Sequence, residues 1–326
     1  MSAEAVWIHR QLQRLLAQRG HALLLAGPGG LGQFDLAMAL AQSWLCEHST
    51  PDGACGACAA CHAMAVHTHP DFFALLSPVK RVELGWPGEE DGGAKPSKDI
   101  RIDAMRGAVE CAQRTCVRGR GKVVVVYPAE RMNVYTANAL LKTLEEPAPG
   151  VRFVLATEAE HQILPTLRSR CVRHAMAWPA PDEAIDWLCA QGLDRSQAAV
   201  ALRAAADKPH EAQRFAALAG VWPTLPRAVQ LGTVQALQGW TAAQWVDLLQ
   251  KLCHDLLRTL CGAAPRFFDP ADLPRAGTWG SLTSWAQSLA RTARTVEHPY
   301  HAGLLLDALL LEAREAMRAD ARPTSR

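Results

Sequence analysis

The segment from Gly27 to Phe34 has the glycine spacing of a phosphate-binding loop, G-x-x-x-x-G-K-[ST]. It follows the apolar run Ala22–Ala26 and precedes a helical pattern, which is the strand-loop-helix order that such loops require. In an active loop a lysine binds the β- and γ-phosphates and a hydroxyl binds Mg²⁺. Gln33 and Phe34 stand at those two positions, so the loop predicts a nucleotide-binding architecture that has lost the means of hydrolysis. The residues of this degenerate cradle are Gly27, Gly29, Gly32, Gln33 and Phe34.

The strand that should carry the magnesium-binding acid of such a site also lacks it. Residues 122–127 contain four consecutive valines, and a continuous apolar run suits a parallel sheet covered on both faces. In active enzymes an aspartate at the tip of this strand binds Mg²⁺, but here the strand ends in Tyr127 and Pro128, and Glu130 is expected to point away. Together with the two changes in the loop, this predicts no intrinsic ATPase activity. The alternative is an ordinary strand-turn-helix connection in which the glycines only turn the chain.

Four cysteines within one short stretch are the strongest metal signal in the chain: Cys46, Cys55, Cys58 and Cys61. Thiolates are soft ligands, and four of them can complete a tetrahedral Zn²⁺ shell. Because such a shell has no open position, the predicted site is structural and not catalytic. The alternatives are reduced cysteines that meet by coincidence, or a histidine, His48 or His62, in place of a terminal cysteine.

Arg170 lies between two small side chains, Ser169 and Cys171. This triplet follows a short helical segment predicted at 161–168. It has two interpretations. The arginine could be a solvated residue between Arg168 and Arg173, or it could reach across a subunit boundary to the phosphates of a neighbour's nucleotide. Arginine suits the second role because its guanidinium stays charged and forks toward phosphate oxygens. Such a finger can be worth a factor of about 10³–10⁵ in rate.

The elements that would position these residues alternate between strand and helix as far as about residue 178. Buried strands are predicted at 22–26, 71–76, 122–127 and 151–157, with a last strand beginning at 169–171, and helices at 35–46, 99–114 and 136–146. This alternation predicts an α/β doubly wound sheet. Beyond Trp178-Pro179 the strand signals disappear, and helical periodicity continues to a long amphipathic helix predicted at 303–317.

The length, composition and net charge of the chain narrow the classes of protein to which it can belong and the kinds of partner it can bind. A chain of 326 residues, 49% hydrophobic and 20% charged, predicts two or three globular domains. The net charge of +2 means that any nucleic-acid contact must come from a local patch. The ten cysteines do not suit a disulfide framework in a chain of this length, and neither a signal core nor an apolar run long enough to span a membrane is seen. We therefore expect a cytoplasmic protein, with a surface loop at 77–98.

Several segments of the chain resemble a known family, the AAA+ clamp-loader subunits of bacterial DNA polymerase III. The similar segments are Ala139–Pro147 (ALLKTLEEP), Phe153–Thr157 (FVLAT), Leu167–Cys171 (LRSRC), the four-cysteine spacing and His69-Pro70-Asp71. The resemblance is strong over about residues 19–178 and diffuse over the remainder. The degenerate loop and strand tip are similar to the delta-prime branch of the family, not to the ATP-hydrolysing gamma/tau branch.

The resemblance implies a three-domain architecture. A RecA-like AAA+ domain (a parallel sheet with helices) is expected over 1–178, with a zinc module inserted at about 46–64. A small helical lid is expected over 179–219, and an all-α collar over 220–326 that joins five subunits in a ring. The lid stretch at 207–210 has no arginine where active relatives have a nucleotide sensor, and Thr157 matches the position of a polar sensor at the strand end.

The resemblance also implies a function. The chain would be an ATP-silent stator in a pentamer with gamma/tau and delta, part of a DNA-directed DNA polymerase (nucleotidyltransferase) holoenzyme. Arg170, with Ser169 and Cys171, would complete the ATP site of the adjacent gamma/tau subunit, so ATP would bind only there. The complex would load the beta sliding clamp on primer-template DNA. The alternatives are a catalytically active gamma/tau-like ATPase and a free-standing zinc module that binds DNA.

Contact with DNA is expected at the start of the helix predicted at 99–114. Lys98, Arg101 and Arg106 lie there, and the helix amides could face a phosphate backbone. The same stretch resembles the clamp-loader helix that lines the central DNA chamber. The alternative is a solvated basic face that Asp99, Asp103 and Glu110 balance.

Overall fold

The computed structural model describes residues 5–18, 20–86, 96–233, 240–275, 277–296 and 302–318. The chain divides into two compact units, Met1–Glu183 and Ala184–Arg326. The loop predicted at 77–98 lies partly outside the described residues, which omit 87–95. Its described part begins with a short helix whose first turn Ser77 caps.

A five-stranded parallel sheet is the centre of the first unit. Its strands are β1 (Ala22–Ala26), β2 (Phe72–Leu76), β3 (Lys122–Tyr127), β4 (Val151–Thr157) and β5 (Val172–Ala175). They lie in the order β2-β3-β4-β1-β5, and every pair is parallel. This order brings the ends of β1, β3 and β4 together at one edge, so the loop after β1 faces the tips of the other two. The predicted α/β class is confirmed.

Helices cover the sheet of the first unit and make up the second. In the first unit they are α1 (Val6–Leu16), α2 (Gln33–Leu45), α3 (Ala59–Ala65), α4 (Pro78–Glu83), α5 (Ile102–Gln113), α6 (Val134–Glu145) and α7 (Pro165–Arg168). In the second they are α8 (Pro181–Ala190), which starts just before the division, α9 (Arg195–Ala204), α10 (Pro209–Phe215), α11 (Leu225–Leu231), α12 (Ala242–Leu260), α13 (Trp279–Thr295) and α14 (Ala302–Met317). Single 3₁₀ turns lie at Ala129–Arg131, Glu160–Gln162, Ala216–Leu218 and Trp222–Thr224.

Burial on both faces of the sheet explains why its central strands β1, β3 and β4 are largely apolar runs. All residues of β1 and β3 are buried, and in β4 only Arg152 is exposed. Leu24, Val124 and Phe153 pack on one face with the buried residues of α5 and α6. Polar and apolar residues cannot alternate along these strands, because one face of each strand would then bury polar side chains.

Among the helix starts that differ from their predicted positions, two have a clear local reason. The helix predicted from Asp99 begins at Ile102, because Ile100 forms an extended bridge with Met132 and its N–H donates to the Arg131 carbonyl at 2.9 Å. The helix predicted from Thr136 begins at Val134, because the Asn133 side chain accepts the Thr136 N–H at 2.9 Å and caps the first turn.

A buried carboxylate explains the His69-Pro70-Asp71 motif at the start of β2. The Asp71 side chain is fully buried and accepts the backbone N–H groups of Val117 and Arg118 at 2.7 and 2.8 Å. Its Oδ1 also lies 3.6 Å from the ammonium of buried Lys122. These contacts fix the loop before β3 against β2, so Asp71 positions the sheet and not a substrate.

The second unit is an all-helical body with its own apolar core. Trp222, Leu249 and Trp285 lie in that core. Asp255 of α12 is fully buried and accepts the N–H groups of Arg266, Phe267 and Phe268 at 2.7–2.9 Å, which holds the loop after α12. Within the part of the chain that the structure describes, no helix combines the length and the apolar character needed to cross a membrane.

Candidate functional site

One side chain of the phosphate loop is bonded to the backbone of the loop itself. Gly30 and Gly32 adopt φ of 86° and 90°, which a residue with a Cβ rarely reaches, and Gly32 is the N-cap of α2. The Gln33 side chain is 2% exposed, and its amide donates to the carbonyls of Gly27 and Pro28, both at 2.8 Å. The neutral amide therefore ties the loop to itself where a lysine would project toward phosphates.

A carboxylate also lies against this loop. A Cβ placed on Gly29 would come within 2.6 Å of Glu158 Oε2, so the Glu158 side chain packs directly on the glycine. The Tyr127 hydroxyl donates to the same carboxylate. Burial, reinforced by the Glu158 charge, raises the pKa of Tyr127 above its usual value. Because Glu158 brings negative charge to the loop, it opposes the binding of a polyphosphate there.

Aromatic rings occupy the side of the loop where a metal-binding hydroxyl would stand. The Phe34 ring stacks on Tyr127 with centroids 5.3 Å apart and meets Trp86 edge-on at 6.0 Å. Trp86 in turn stacks on His67 at 3.7 Å. Aromatic faces offer no oxygen ligand to Mg²⁺, which prefers carboxylates, phosphates and water.

The acid beyond the β3 tip points inward, so the prediction that Glu130 points away is wrong. Its carboxylate accepts the Thr157 hydroxyl at 2.7 Å and the Glu158 N–H at 3.3 Å. The 3₁₀ turn at Ala129–Arg131 reverses the chain and carries Glu130 back to the end of β4. The sensor-like hydroxyl of Thr157 is thus already bonded to a side chain of its own subunit.

The four cysteines meet in one cluster between α2 and α3. Their sulfur atoms all lie within 4.8 Å of one another, and the Sγ atoms of Cys46 and Cys58 are 3.8 Å apart. Sulfurs bound at about 2.3 Å to a tetrahedral Zn²⁺ are separated by about 3.8 Å. The donor set and its spacing therefore fit a closed four-thiolate metal site.

The backbone around the cluster favours thiolate at one position. Cys58 is the N-cap of α3, and its Sγ accepts the Cys61 N–H at 3.4 Å. Burial works against the charge at Cys58, but hydrogen bonds from the Cys61 and Glu47 backbone outweigh it and lower the pKa to about 6. Cys61 is buried, and burial raises its pKa to about 12. A metal cation would supply the charge that makes all four thiolates favourable.

Arg170 lies just after α7 and two residues before β5. Its guanidinium contacts the carboxylate of Glu145 and the carbonyl of Thr166, and its side chain is 33% exposed. The Ser169 hydroxyl donates to the Thr166 carbonyl at 3.1 Å. Cys171 is half-buried, and burial raises the pKa of its thiol to about 11, so it packs against the sheet core and is not an activated nucleophile.

The basic residues predicted to meet DNA lie around the start of α5. Lys98, Arg101 and Arg106 are all exposed, and Arg101 is the N-cap of the helix. Arg106 pairs with Asp103 at 3.0 Å, one turn earlier in the helix. The three exposed cations therefore lie along the chain around the start of α5, and Arg106 is paired with an aspartate.

Three residues of these sites were not predicted: Glu158 and Tyr127 at the loop, and Glu145 beside Arg170. Tyr127 is recognisable in the sequence as the end of a strand, but its hydroxyl contact depends on the position of Glu158. Glu158 directly follows β4, so the place of β4 beside β1 brings it to the loop. The sequence does not show that β4 lies beside β1, so the contact between Glu158 and the loop could not be predicted before the strand order was known.

Comparisons with known proteins agree with one another. Residues 7–178 match the family described as "DNA polymerase III, delta subunit". The delta' subunit of DNA polymerase III from Pseudomonas aeruginosa is 38% identical over 278 residues, which are 84% of this chain and 73% of that protein. The Escherichia coli delta' subunit is 31% identical over 75% of this chain and 76% of its own length.

More distant relatives belong to the gamma and tau subunits. The tau subunit of Bacillus subtilis is 32% identical over 168 residues, which are 51% of this chain and 26% of that protein. Among solved structures, a gamma subunit-related protein from Thermotoga maritima has a TM-score of 0.50 and 18% identity, over 95% of this chain and 99% of that one. This last likeness concerns the fold alone.

Proposed function

Because the chain belongs to the delta-prime family of DNA polymerase III subunits, we propose that it is the ATP-silent stator of a clamp loader. The observation that carries the proposal is the geometry of the phosphate loop. The Gln33 amide is bonded to the loop carbonyls where a lysine would project toward phosphates, and Glu158 places negative charge against Gly29. A subunit with this loop contributes to ATP hydrolysis only through a neighbour.

Arg170 is the contribution that we assign to this subunit. A guanidinium on a partly exposed side chain can reach the triphosphate bound by an adjacent gamma/tau subunit and stabilise the charge that develops during hydrolysis. Ser169 and Cys171 hold the turn that carries it. On this account ATP binds in the neighbour, and the chain itself is not an ATPase. A gamma/tau-like ATPase would need a different loop.

We further propose a structural Zn²⁺ bound by Cys46, Cys55, Cys58 and Cys61. Support comes from four thiol donors at the spacing of a tetrahedral shell. The chain after residue 178 would divide into a lid at 179–219 and a collar at 220–326, which joins gamma/tau and delta subunits in a pentamer. We place the assembly in the cytoplasm, where it would load the beta sliding clamp on primed DNA.

Lys98, Arg101 and Arg106 would contact the DNA backbone within the assembled complex. Changing all three to glutamine should weaken primer-template binding by the complex of this chain with gamma/tau and delta. The slope of log K against log salt should also become shallower, by about 0.9 for every phosphate that the complex no longer neutralises. The measurement is fluorescence anisotropy of labelled primer-template DNA at several salt concentrations.

Two controls accompany this measurement. Arg114→Gln changes an exposed arginine at the other end of the same helix, beside Glu110, and should leave the salt slope unchanged. A mixture that lacks this chain should bind primed DNA weakly and fail to load the clamp. Unchanged affinity and slope in the triple variant would remove the DNA contact, and full clamp loading without the chain would contradict the stator role.

A further inference from the structure

The guanidinium of Arg170 is bound along one of its edges by a single carboxylate oxygen. Its Nε donates to Glu145 Oε1 at 2.6 Å, and Nη2 contacts the same oxygen. On the other side Nη1 donates to the Thr166 carbonyl at 2.8 Å and lies 3.4 Å from Ser169 Oγ. Three groups therefore hold the side chain of an arginine that is one-third exposed.

The residues that hold Arg170 belong to rigid elements. Glu145 is the last residue of α6, whose Leu140 and Leu144 are buried in the sheet core. Thr166 belongs to α7, where Leu167 is buried in the same core. The carboxylate and the carbonyl therefore keep a fixed separation, and the guanidinium between them has a defined orientation.

The position of Glu145 is unfavourable for a carboxylate by itself. The C-terminal end of a helix carries partial negative charge from its unpaired carbonyls, so acidic residues there are normally disfavoured. Local rules of this kind are broken most often at functional sites. The ion pair with Arg170 offsets this repulsion at Glu145.

We propose that Glu145 is a positioning residue for Arg170, an inference that rests on the finger role proposed above. A planar guanidinium has five N–H groups, and a bidentate phosphate contact uses two of them on one edge. Glu145 occupies the Nε/Nη2 edge. The end formed by Nη1 and Nη2 still has N–H groups to give to a phosphate of the neighbouring subunit.

Glu145 has two opposing effects on the rate of hydrolysis: it orders the Arg170 side chain, and it weakens the positive charge that Arg170 presents. A long arginine side chain that moves freely in water must lose its rotamer freedom when it meets the phosphate, and Glu145 removes that freedom beforehand. The carboxylate also weakens the positive field at the phosphate, but both side chains are partly exposed and water screens this repulsion. The positioning effect therefore dominates, and loss of Glu145 slows hydrolysis.

The test is a mutant cycle in the complex reconstituted with gamma/tau and delta. Glu145→Ala should lower kcat for ATP about tenfold with KM little changed, a loss worth about 1.4 kcal/mol. Glu145→Gln should lose less, because its amide oxygen can still accept the same two N–H bonds. Glu146→Ala is the matched control: it removes the adjacent exposed carboxylate and should leave kcat unchanged.

The cycle separates this inference from the finger role itself. In an Arg170→Ala background Glu145→Ala should have no additional effect, because a positioning residue acts only through the side chain it holds. Normal or faster turnover by Glu145→Ala, or an equal loss in both backgrounds, would overturn the inference while leaving the finger role intact. Normal turnover by Arg170→Ala alone would remove the finger role, and the positioning role with it.

Discussion

Replacing Arg170 with alanine should lower ATP turnover by the reconstituted clamp-loader complex about 10³-fold while the complex still assembles. The loss corresponds to about 4 kcal/mol of transition-state stabilisation. It is large because a finger acts on charge that develops only during hydrolysis. DNA-stimulated ATPase rates, with assembly checked by gel filtration, provide the measurement.

Two further variants sharpen this prediction. Arg170→Lys keeps the positive charge but loses the planar fork and the Nε contact with Glu145, so it should recover only a small part of the rate. Arg173→Ala removes a nearby exposed guanidinium that pairs with Glu160, and should leave the rate close to that of the unchanged complex. Equal losses at Arg170 and Arg173 would indicate general damage to the interface.

Replacing Cys58 with serine should remove one Zn²⁺ per chain and unfold the segment around it. Structural zinc contributes on the order of 10 kcal/mol of folding free energy in small modules, because the unfolded chain holds no preformed site. The sheet has its own core, so we expect local loosening of residues 46–64 and not global unfolding. Elemental analysis and hydrogen exchange of this segment test both parts.

The control for the zinc experiment is Cys116→Ser. Cys116 is exposed, lies in the same unit and is outside the cluster, so its replacement should leave both the metal content and the exchange rates unchanged. Purified unchanged protein that contains no zinc would contradict the assignment. Retention of a full equivalent of zinc by Cys58→Ser would also contradict the predicted ligand set.

Continuous apolar runs made β1 to β4 predictable, whereas β5 (Val172–Ala175) is not such a run and begins after the predicted 169–171. The strands Ala22–Ala26 and Val151–Thr157 have their predicted bounds, because turn-forming residues flank each run and both faces of the sheet are buried. The start of α6 was harder to predict, because it depends on which nearby side chain caps the first N–H groups of the helix. Asn133 does so here.

The chemistry of the sites was predictable only where the ligands are close in the chain. Cys46 to Cys61 lie within one short segment, and their meeting follows from local spacing. Glu158 reaches Gly29 and Glu145 reaches Arg170 across different elements, so both contacts depend on the order of strands and the packing of helices. The glutamine in the loop was visible in the sequence, but the two carbonyls that it binds were not.

Equilibrium titration of Mg·ATP into the isolated chain measures whether the degenerate loop binds nucleotide at all. Gln33 and Phe34 stand where a lysine and a hydroxyl would bind the triphosphate and its Mg²⁺, and Glu158 adds negative charge against Gly29. We therefore expect no saturable binding at millimolar nucleotide and no phosphate release. Saturable micromolar binding accompanied by turnover would contradict this expectation and would favour a gamma/tau-like ATPase.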